Sequence, residues 1–427
     1  MWTHYPWAST PRWGCHALIP VAFTLLLGSV SATAGNLSLR EAESIALHQN
    51  PGLAALGQKI AELRHQAVAA AQLPDPHLGI GAVNLPINSF SMHQQQMSML
   101  SLGLSQTFPP FGKLGLKGRQ KAMEAQSAYD NRLGEAAELL LLLRRVWLDA
   151  IYDKEAIQTV QAQERLEGES VKAAMALYRT AQAPQSDVLR AQLAHDSLAN
   201  NISRLKAKRS ANLAQIARIL NLPEPPSIEN RWPTQPTPPS LTKLETRLTG
   251  QPLLRTAQTR ARAAQIGVAV AKRNYYPEVT VSADYGEDFY SGSPNWLSVG
   301  VNLSLPIFPG DRQDQDVAAA RARALQAHYR YDDQRLSLEQ QARAYFSRYK
   351  ADKARLALTR QKLLPIAHAA FSTILVAYSA GRADMSAVLR TQKEVQDYAL
   401  LCLQYRRDLA LSAAGLAFLA TRGESQP

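Results

Sequence analysis

The sequence predicts a mainly α-helical chain with a small β part, built by duplication of a helix–strand–strand–long helix–helix unit. Three observations predict it. Long stretches rich in Ala, Leu, Gln and Arg run without proline, a composition that suits long helices rather than a compact enzyme core. The chain also repeats itself. Ser186, Val188, Leu189, Arg190 and Gln192 recur 200 positions later as Ser386, Val388, Leu389, Arg390 and Gln392. Asn50-Pro51, Pro76, Pro109 and Tyr178 have counterparts in Gln251-Pro252, Pro277, Pro306 and Tyr378. Finally, short segments alternate apolar and polar residues, the pattern of strands with one apolar face.

Residues 1–34 read as a signal peptide. Arg12 and His16 precede an apolar run from Ala17 to Val30, and Ala32-Thr33-Ala34 supplies an A-x-A site, so cleavage is expected after Ala34. The run falls short of the roughly 20 apolar residues that a membrane helix needs. Cys15 lies before the run rather than at its end, the wrong place for acylation, so the mature chain is expected to be unlipidated. Cys402 is then alone and no intrachain disulfide is possible. No later segment reads as a membrane-spanning helix. The formal charge of +12 allows acidic partners. Basic and acidic residues are interspersed along the helices, however, which suits a solvated surface. A nucleic-acid-binding coiled coil would leave the leader unexplained.

The first repeat is placed at residues 35–222. A helix from Ser38 to Gln72 is interrupted at Asn50-Pro51, and strands follow at about 77–87 and 96–107. A long helix covers about 113–178, and a turn near Ala181 to Pro184 leads into a helix ending near Asn221. Residues 223–242 form a Pro-rich linker, extended because proline removes backbone donors. The second repeat, 243–422, carries strands at about 278–289 and 295–305, a long helix at about 311–378 and a helix from Asp384 to Thr421; residues 423–427 are a tail. At 1.5 Å per residue each long helix spans about 100 Å, and the two shorter helices of a repeat sum to roughly that length. Two short helices stacked end to end can therefore line one long one, which makes the wall of a tube. Stripes at 3–4 spacing support such packing, for example Leu139, Leu143, Val146, Ala150, Ile157 and Val160. Pro365 interrupts the second long helix, where it removes a backbone hydrogen bond and crowds the preceding turn.

The strands read as membrane strands. Val279, Val281, Ala283 and Tyr285 alternate with Thr280, Ser282 and Asp284; Leu297, Val299, Val301 and Leu303 alternate with Ser298, Gly300 and Asn302. Leu100, Leu102 and Leu104 alternate with Ser101 and Gly103, while His77 to Val83 is less clear. Aromatics gather at both ends: Tyr285, Phe289, Tyr290 and Trp296 at one, Phe108, Phe111, Tyr275, Tyr276 and Phe308 at the other. That arrangement matches interfacial girdles. Four strands cannot close a barrel, which takes at least about 8, so several copies must contribute strands. Two copies give 8, three give 12 and four give 16.

These residues carry a family resemblance. Leu39-Arg40-Glu41-Ala42 with Asn50-Pro51, Leu104 to Pro109 followed by Phe111-Gly112-Lys113, Leu305-Pro306-Ile307-Phe308 with Gly310, and Tyr378-x-x-Gly381 with Ser386 and Leu389 together resemble the TolC family of outer membrane efflux proteins. The resemblance covers about Leu39 to Thr421 and includes heavy-metal-efflux members, which Pro74-Asp75-Pro76 and the Met-bearing loop below look like. It implies a homotrimer with a 12-strand barrel in outer-membrane lipid and a long helical extension in the periplasm. It also implies docking to a periplasmic adaptor and an inner-membrane transporter. The chain departs from the family's pattern at Ala181, where the family usually has Gly, and at Ala387, where an acidic residue is common. Other readings are a type I secretion duct, a simple porin, or an adhesive coiled-coil protein of the envelope. Porins need no long helices, and adhesins need no repeat that joins strand pairs to helices.

No catalytic constellation is present and no cofactor is expected: the nine His are scattered, without H-x-x-x-H, CxxC, G-x-S-x-G or a phosphate loop. Met92, His93, Met97 and Met99, in the loop between the first two strands, are soft or borderline ligand types that suit Cu(I) or Ag(I). They also suit a polar loop with Met at a barrel rim. Tyr178 and Asp187 in one hairpin, and Tyr378, Gly381, Arg382 and Asp384 in the other, are candidates for a periplasmic gate or for adaptor docking. Asp384 equally suits a helix cap. Pro109, Gly112, Pro306 and Gly310 mark the strand-to-helix joints, and Pro365 the helix kink.

Overall fold

The computed structural model describes residues 36–234 and 237–422. The expected signal peptide, its cleavage site, Cys15 and the 423–427 tail lie outside the described residues.

α1 (Leu39–Gln49) opens on a capping box: Ser38 Oγ accepts from the Glu41 N–H, and the Glu41 carboxylate accepts from the Ser38 N–H. Asn50 then caps α2 (Pro51–Ala69), accepting from Gly52 and Leu53, with Pro51 in the first turn where no N–H is needed. The second repeat uses the same device. After α5 (Leu241–Arg247) and a short 3-10 turn, Gln251 accepts from Leu253 and Leu254, and Pro252 opens α6 (Pro252–Lys272). The matched dipeptides are thus helix starts as well as breaks. The last two positions of the expected linker, Leu241 and Thr242, already belong to α5.

β1 (His77–Val83), β2 (Met99–Phe108), β3 (Glu278–Asp288) and β4 (Trp296–Ser304) form one antiparallel sheet in that order. β1 stops short of the expected 87 because Asn84 takes a positive φ of 54° and turns the chain out of the sheet. The β2–β3 pairing joins the two repeats. Register sorts the side chains by face. Leu78, Leu104, Ala283 and Val299 form one cross-strand row, and Ile80, Leu102, Tyr285 and Leu297 the next. The opposite face has Gly79, Gly103, Asp284 and Ser298 in one row, and His77, Ser105, Ser282 and Gly300 in another. Gly103 leaves room there for the Asp284 carboxylate, which a Cβ would displace. The apolar face is open, with Ile80 at 72% and Leu297 at 72% exposure. Among the described residues nothing pairs with the outer edges of β1 and β4.

α3 (Lys113–Arg179) runs unbroken for 67 residues, about 100 Å. α2 and α6 pack against its first part, and α4 (Gln185–Leu220) and α9 (Met385–Leu419) against its second. Small residues allow the approach: a Cβ on Gly118 would meet Ala71 at 2.8 Å, and one on Gly134 would meet Leu253 at 2.6 Å. The expected second long helix is instead three pieces: α7 (Gln313–Leu358), a π-helical turn (Thr359–Leu363) and α8 (Leu364–Ser379). Contrary to the sequence expectation, the run Gln313–Ser379 is long and apolar enough to cross a membrane by length and composition. Several of its apolar residues, such as Ile366 and Val376, are exposed.

Two cores hold the repeats. Trp147, Ile151 and Leu143 of α3 meet Ala42 of α1, Ile216 and Leu220 of α4 and Ile228 of the linker. Leu244, Leu248, Leu254, Leu338, Leu416 and Leu419 form the counterpart. Trp147 is 1% exposed, and burial of such a side chain contributes about 1.5–3 kcal/mol. The linker is tied down in turn. Leu37 bridges Ile228, and the Trp232 indole N–H donates to Glu155 Oε1 at 2.8 Å beneath the Arg406 guanidinium.

Candidate functional site

Both hairpins at the end of α3 and α8 close by the same backbone rule. In the first, Gln182 N–H donates to Leu177 O and Ala181 N–H to Tyr178 O; in the second, Arg382 donates to Ala377 O and Gly381 to Tyr378 O. This paired pattern is the Schellman motif, which requires a left-handed residue just past the helix. Gly381 supplies it with φ 68°, and Ala181 takes the same conformation with φ 55°.

α9 then starts at Asp384, whose carboxylate accepts from Ala387 N–H at 2.7 Å. The cap reading of Asp384 is what the geometry uses. Asp187 stands elsewhere: it is 9% exposed on α4 and faces the second hairpin. Tyr378 packs with Val171, Ala174, Val188, Met385 and Val388. Its buried hydroxyl has no partner among the described residues. Burial first, then the nearby Asp187 charge, push the Tyr378 phenol up. Arg190 Nη1 donates to Ser386 Oγ at 2.6 Å, a second tie between the hairpins. The structure therefore brings Tyr378, Asp187, Arg190 and Ser386 together, and leaves Tyr178, Gly381 and Arg382 exposed at the turns. Arg190 entered the sequence reading only as a repeat identity, and Ser386 as a repeat identity and a carrier of the family resemblance. That repeat was the available signal.

Pro365 lies in the first turn of α8, directly after the π turn. A proline here cannot donate to the carbonyl four residues back, at Gln361, and its ring crowds that carbonyl. Widening to π geometry over Thr359–Leu363 moves the conflict out of the ladder. At the other end of the long helices the two joints differ. Gly112, after Pro109, caps α3 with φ 77°, and the Arg273 guanidinium lies 3.8 Å from where its Cβ would be. Gly310, after Pro306, needs no left-handed conformation and has open space around it.

The Met and His residues lie at the opposite rim of the sheet. Met97 is exposed, has φ 69°, and its N–H donates to Asp288 Oδ2 at 3.0 Å. The His93 ring sits 5.9 Å from that of Phe289. Met99 lays its sulfur over Gly286, where a Cβ would come within 2.2 Å. Met92 is half-buried in the same loop. Among the described residues no group of three or more His, Cys, Asp or Glu is placed to hold a metal ion.

Comparison with known proteins follows this geometry. Residues 244–421 match the family model described as outer membrane efflux protein. Over 161 residues the chain is 27% identical to the cobalt-zinc-cadmium resistance protein CzcC of Cupriavidus metallidurans; that alignment spans 38% of this chain and only 37% of the relative's length. Among solved structures it resembles the outer-membrane channel OprN, with TM-score 0.77, 18% identity and 90% of each chain covered. It also resembles VceC of Vibrio cholerae, with TM-score 0.75, 18% identity and coverage of 90% of this chain and 97% of that one. CusC, described for folding and transmembrane channel formation, gives TM-score 0.76 at 15% identity, with 92% and 96% covered.

Proposed function

We propose that this chain, whose residues 244–421 match the outer membrane efflux protein model and whose fold resembles solved outer-membrane channels, is the passive outer-membrane exit duct of a tripartite pump and catalyses no reaction. One observation carries this reading: a four-stranded sheet with a single apolar face and two unpaired edges, continuous with a helix about 100 Å long. Unpaired edges inside a bilayer leave backbone groups without partners, so the sheet must close through other copies. Three copies give a 12-strand barrel, the family's arrangement. The helices then line a periplasmic tunnel whose far end, at the Tyr378–Asp187 contact, is the gate and the seat for a periplasmic adaptor. An inner-membrane transporter delivers the cargo. Heavy-metal ions are the proposed cargo, supported by the distant similarity to the CzcC-named protein and by the soft-ligand loop at Met92, His93, Met97 and Met99.

Native mass spectrometry in detergent and planar-bilayer recording test the duct. The expected result is a three-chain species that conducts ions. A stable monomer would overturn the barrel. For the cargo, a deletion strain complemented with the chain should recover tolerance to cobalt, zinc, cadmium, copper or silver. Recovery of antibiotic tolerance alone would refute the metal assignment and leave the duct standing.

A further inference from the structure

Beyond the tip, α3, α4 and α9 pack in registered layers. Ala174 on α3, Val188 and Ala191 on α4 and Met385 and Val388 on α9 form one apolar cluster, with Val171 packed against it. Further from the tip, Val160 on α3 and Ile202 on α4 share a second cluster, with Leu400 of α9 packed against it. One antiparallel offset accounts for both, pairing Ala174 with Val188 and Met385, Val171 with Ala191 and Val388, and Val160 with Ile202. Carrying that antiparallel register between the two apolar clusters puts Glu167 level with His195 and Gln392, and Gln163 level with Gln396. The layer is polar yet dry: Glu167 is 4%, Gln392 2%, Gln163 7% and Gln396 8% exposed.

Its hydrogen bonds do not close. Gln163 Nε2 donates to Glu167 Oε1 at 3.3 Å. Glu167 Oε2 and Gln392 Oε1 are buried without a partner among the described residues. An ionised carboxylate and an amide oxygen are both acceptors, and two buried acceptors on facing turns cost about 1–3 kcal/mol each when neither has a donor. One proton reconciles them. We propose that Glu167 is held as the neutral carboxylic acid and donates its Oε2 proton to Gln392 Oε1, a buried proton site in the wall beside the gate.

The surroundings fit. From α4 the facing titratable group is His195, which is turned toward Asp196 at 3.1 Å. From α9 the facing groups are the neutral Gln392 and Gln396; the Lys393–Asp397 pair is on the exposed side. On α3 itself Glu164 lies one turn back, and the Lys172–Glu169 pair is exposed. Burial pushes the Glu167 carboxyl above its ordinary 4.5, against weaker opposing pulls from Gln163 and His195. The folded state thus binds this proton more tightly than the unfolded chain. Stability from the site is full in acid, falls as pH rises above 4.5, and levels off once the raised pKa is passed. Within the folded wall next to Tyr378 and Asp187, the contact itself is lost only once the raised pKa is passed.

The test is thermal unfolding of the full chain in detergent from pH 4.5 upward, the side of the ordinary value on which a raised carboxyl titrates. Wild type should lose roughly tenfold in its folded-to-unfolded ratio for each unit by which the pKa is raised. Glu167→Gln, which supplies a permanent donor of the same shape, should lose that slope and exceed wild type at pH 8. An unchanged slope in Glu167→Gln, or a slope abolished by His195→Ala instead, would overturn the site. Wild-type protein labelled at glutamate gives an independent readout in the infrared: a protonated-carboxyl C=O band that persists above pH 4.5 and is missing from Glu167→Gln. Its absence would also overturn the proposal, whether or not the variant folds. Neither result depends on what the channel carries.

Discussion

Ala181 and Gly381 do the same backbone work with different side chains. The left-handed conformation puts a Cβ close to the following carbonyl, which costs about 1–2 kcal/mol for a residue other than Gly. The first hairpin therefore carries strain that the second does not. Ala181→Gly should stabilise the chain by about 1 kcal/mol, read as a rise in the midpoint of chemical unfolding. A neutral or destabilising result would mean that the Ala181 methyl makes packing contacts that outweigh the strain. At this scale the sequence was informative about local chemistry. The Asp384 cap follows from its place at a helix start, and the Ala181 departure from the family resemblance. The approach of Tyr378 to Asp187, about 190 positions apart, does not, because it depends on how α8 and α9 are rotated against α4. Spacing along one helix carries no information about that rotation.

Among the elements, the second long helix is where sequence and structure part. Proline announced an interruption, but whether a helix bends, breaks or widens is decided by how its neighbours hold it. Here it widens over Thr359–Leu363, with Thr359 buried and Pro365 just beyond. Pro365→Ala should restore a continuous α ladder. Amide exchange in residues 359–366 should then slow by about fivefold, one ladder bond being worth about 1 kcal/mol. Equal exchange in both proteins would show that the π turn is imposed by packing on α9 and not by proline. The strands were easier. Period-2 alternation identified three of the four, and Gly79 and Gly81 blurred β1 because glycine marks neither face. Pairing with β2 restores the assignment: Leu78 and Ile80 join the apolar rows. Val299→Arg, on the apolar face, should cost about 2–4 kcal/mol for folding into lipid, while Ser298→Arg, one residue away on the polar face, should cost little. Refolding titrations in lipid vesicles measure both. Similar costs would mean that the face assignment is wrong.

For the whole molecule, duplication and the long-helix-to-strand proportions were legible because they are matters of length and identity. The number of copies was not, since open edges demand partners without counting them. The proposed gate belongs to this scale. Tyr378→Ala together with Asp187→Ala removes the Tyr378 packing and the nearby Asp187 charge without touching the Asp384 cap or the Arg190–Ser386 hydrogen bond. The double variant should conduct several-fold more ions in planar bilayers than wild type, with an unchanged yield of assembled protein. Wild-type conductance would place the closing contact elsewhere.

The broken helix has a consequence for symmetry. Two copies of one unit in each of three chains would make a tunnel with six like walls, each ending in a like hairpin. Pro365 and its π turn occur in one unit and not the other, and so do Gly381 and the Asp384 cap. In the proposed trimer the sixfold pattern would thereby be reduced to a threefold one, with two kinds of hairpin alternating around the rim. Any partner that docks there as a ring of six identical copies would meet two unlike seats, three of each. One ring subunit would then bind in two modes, and a substitution confined to one hairpin would disable alternate positions rather than all of them.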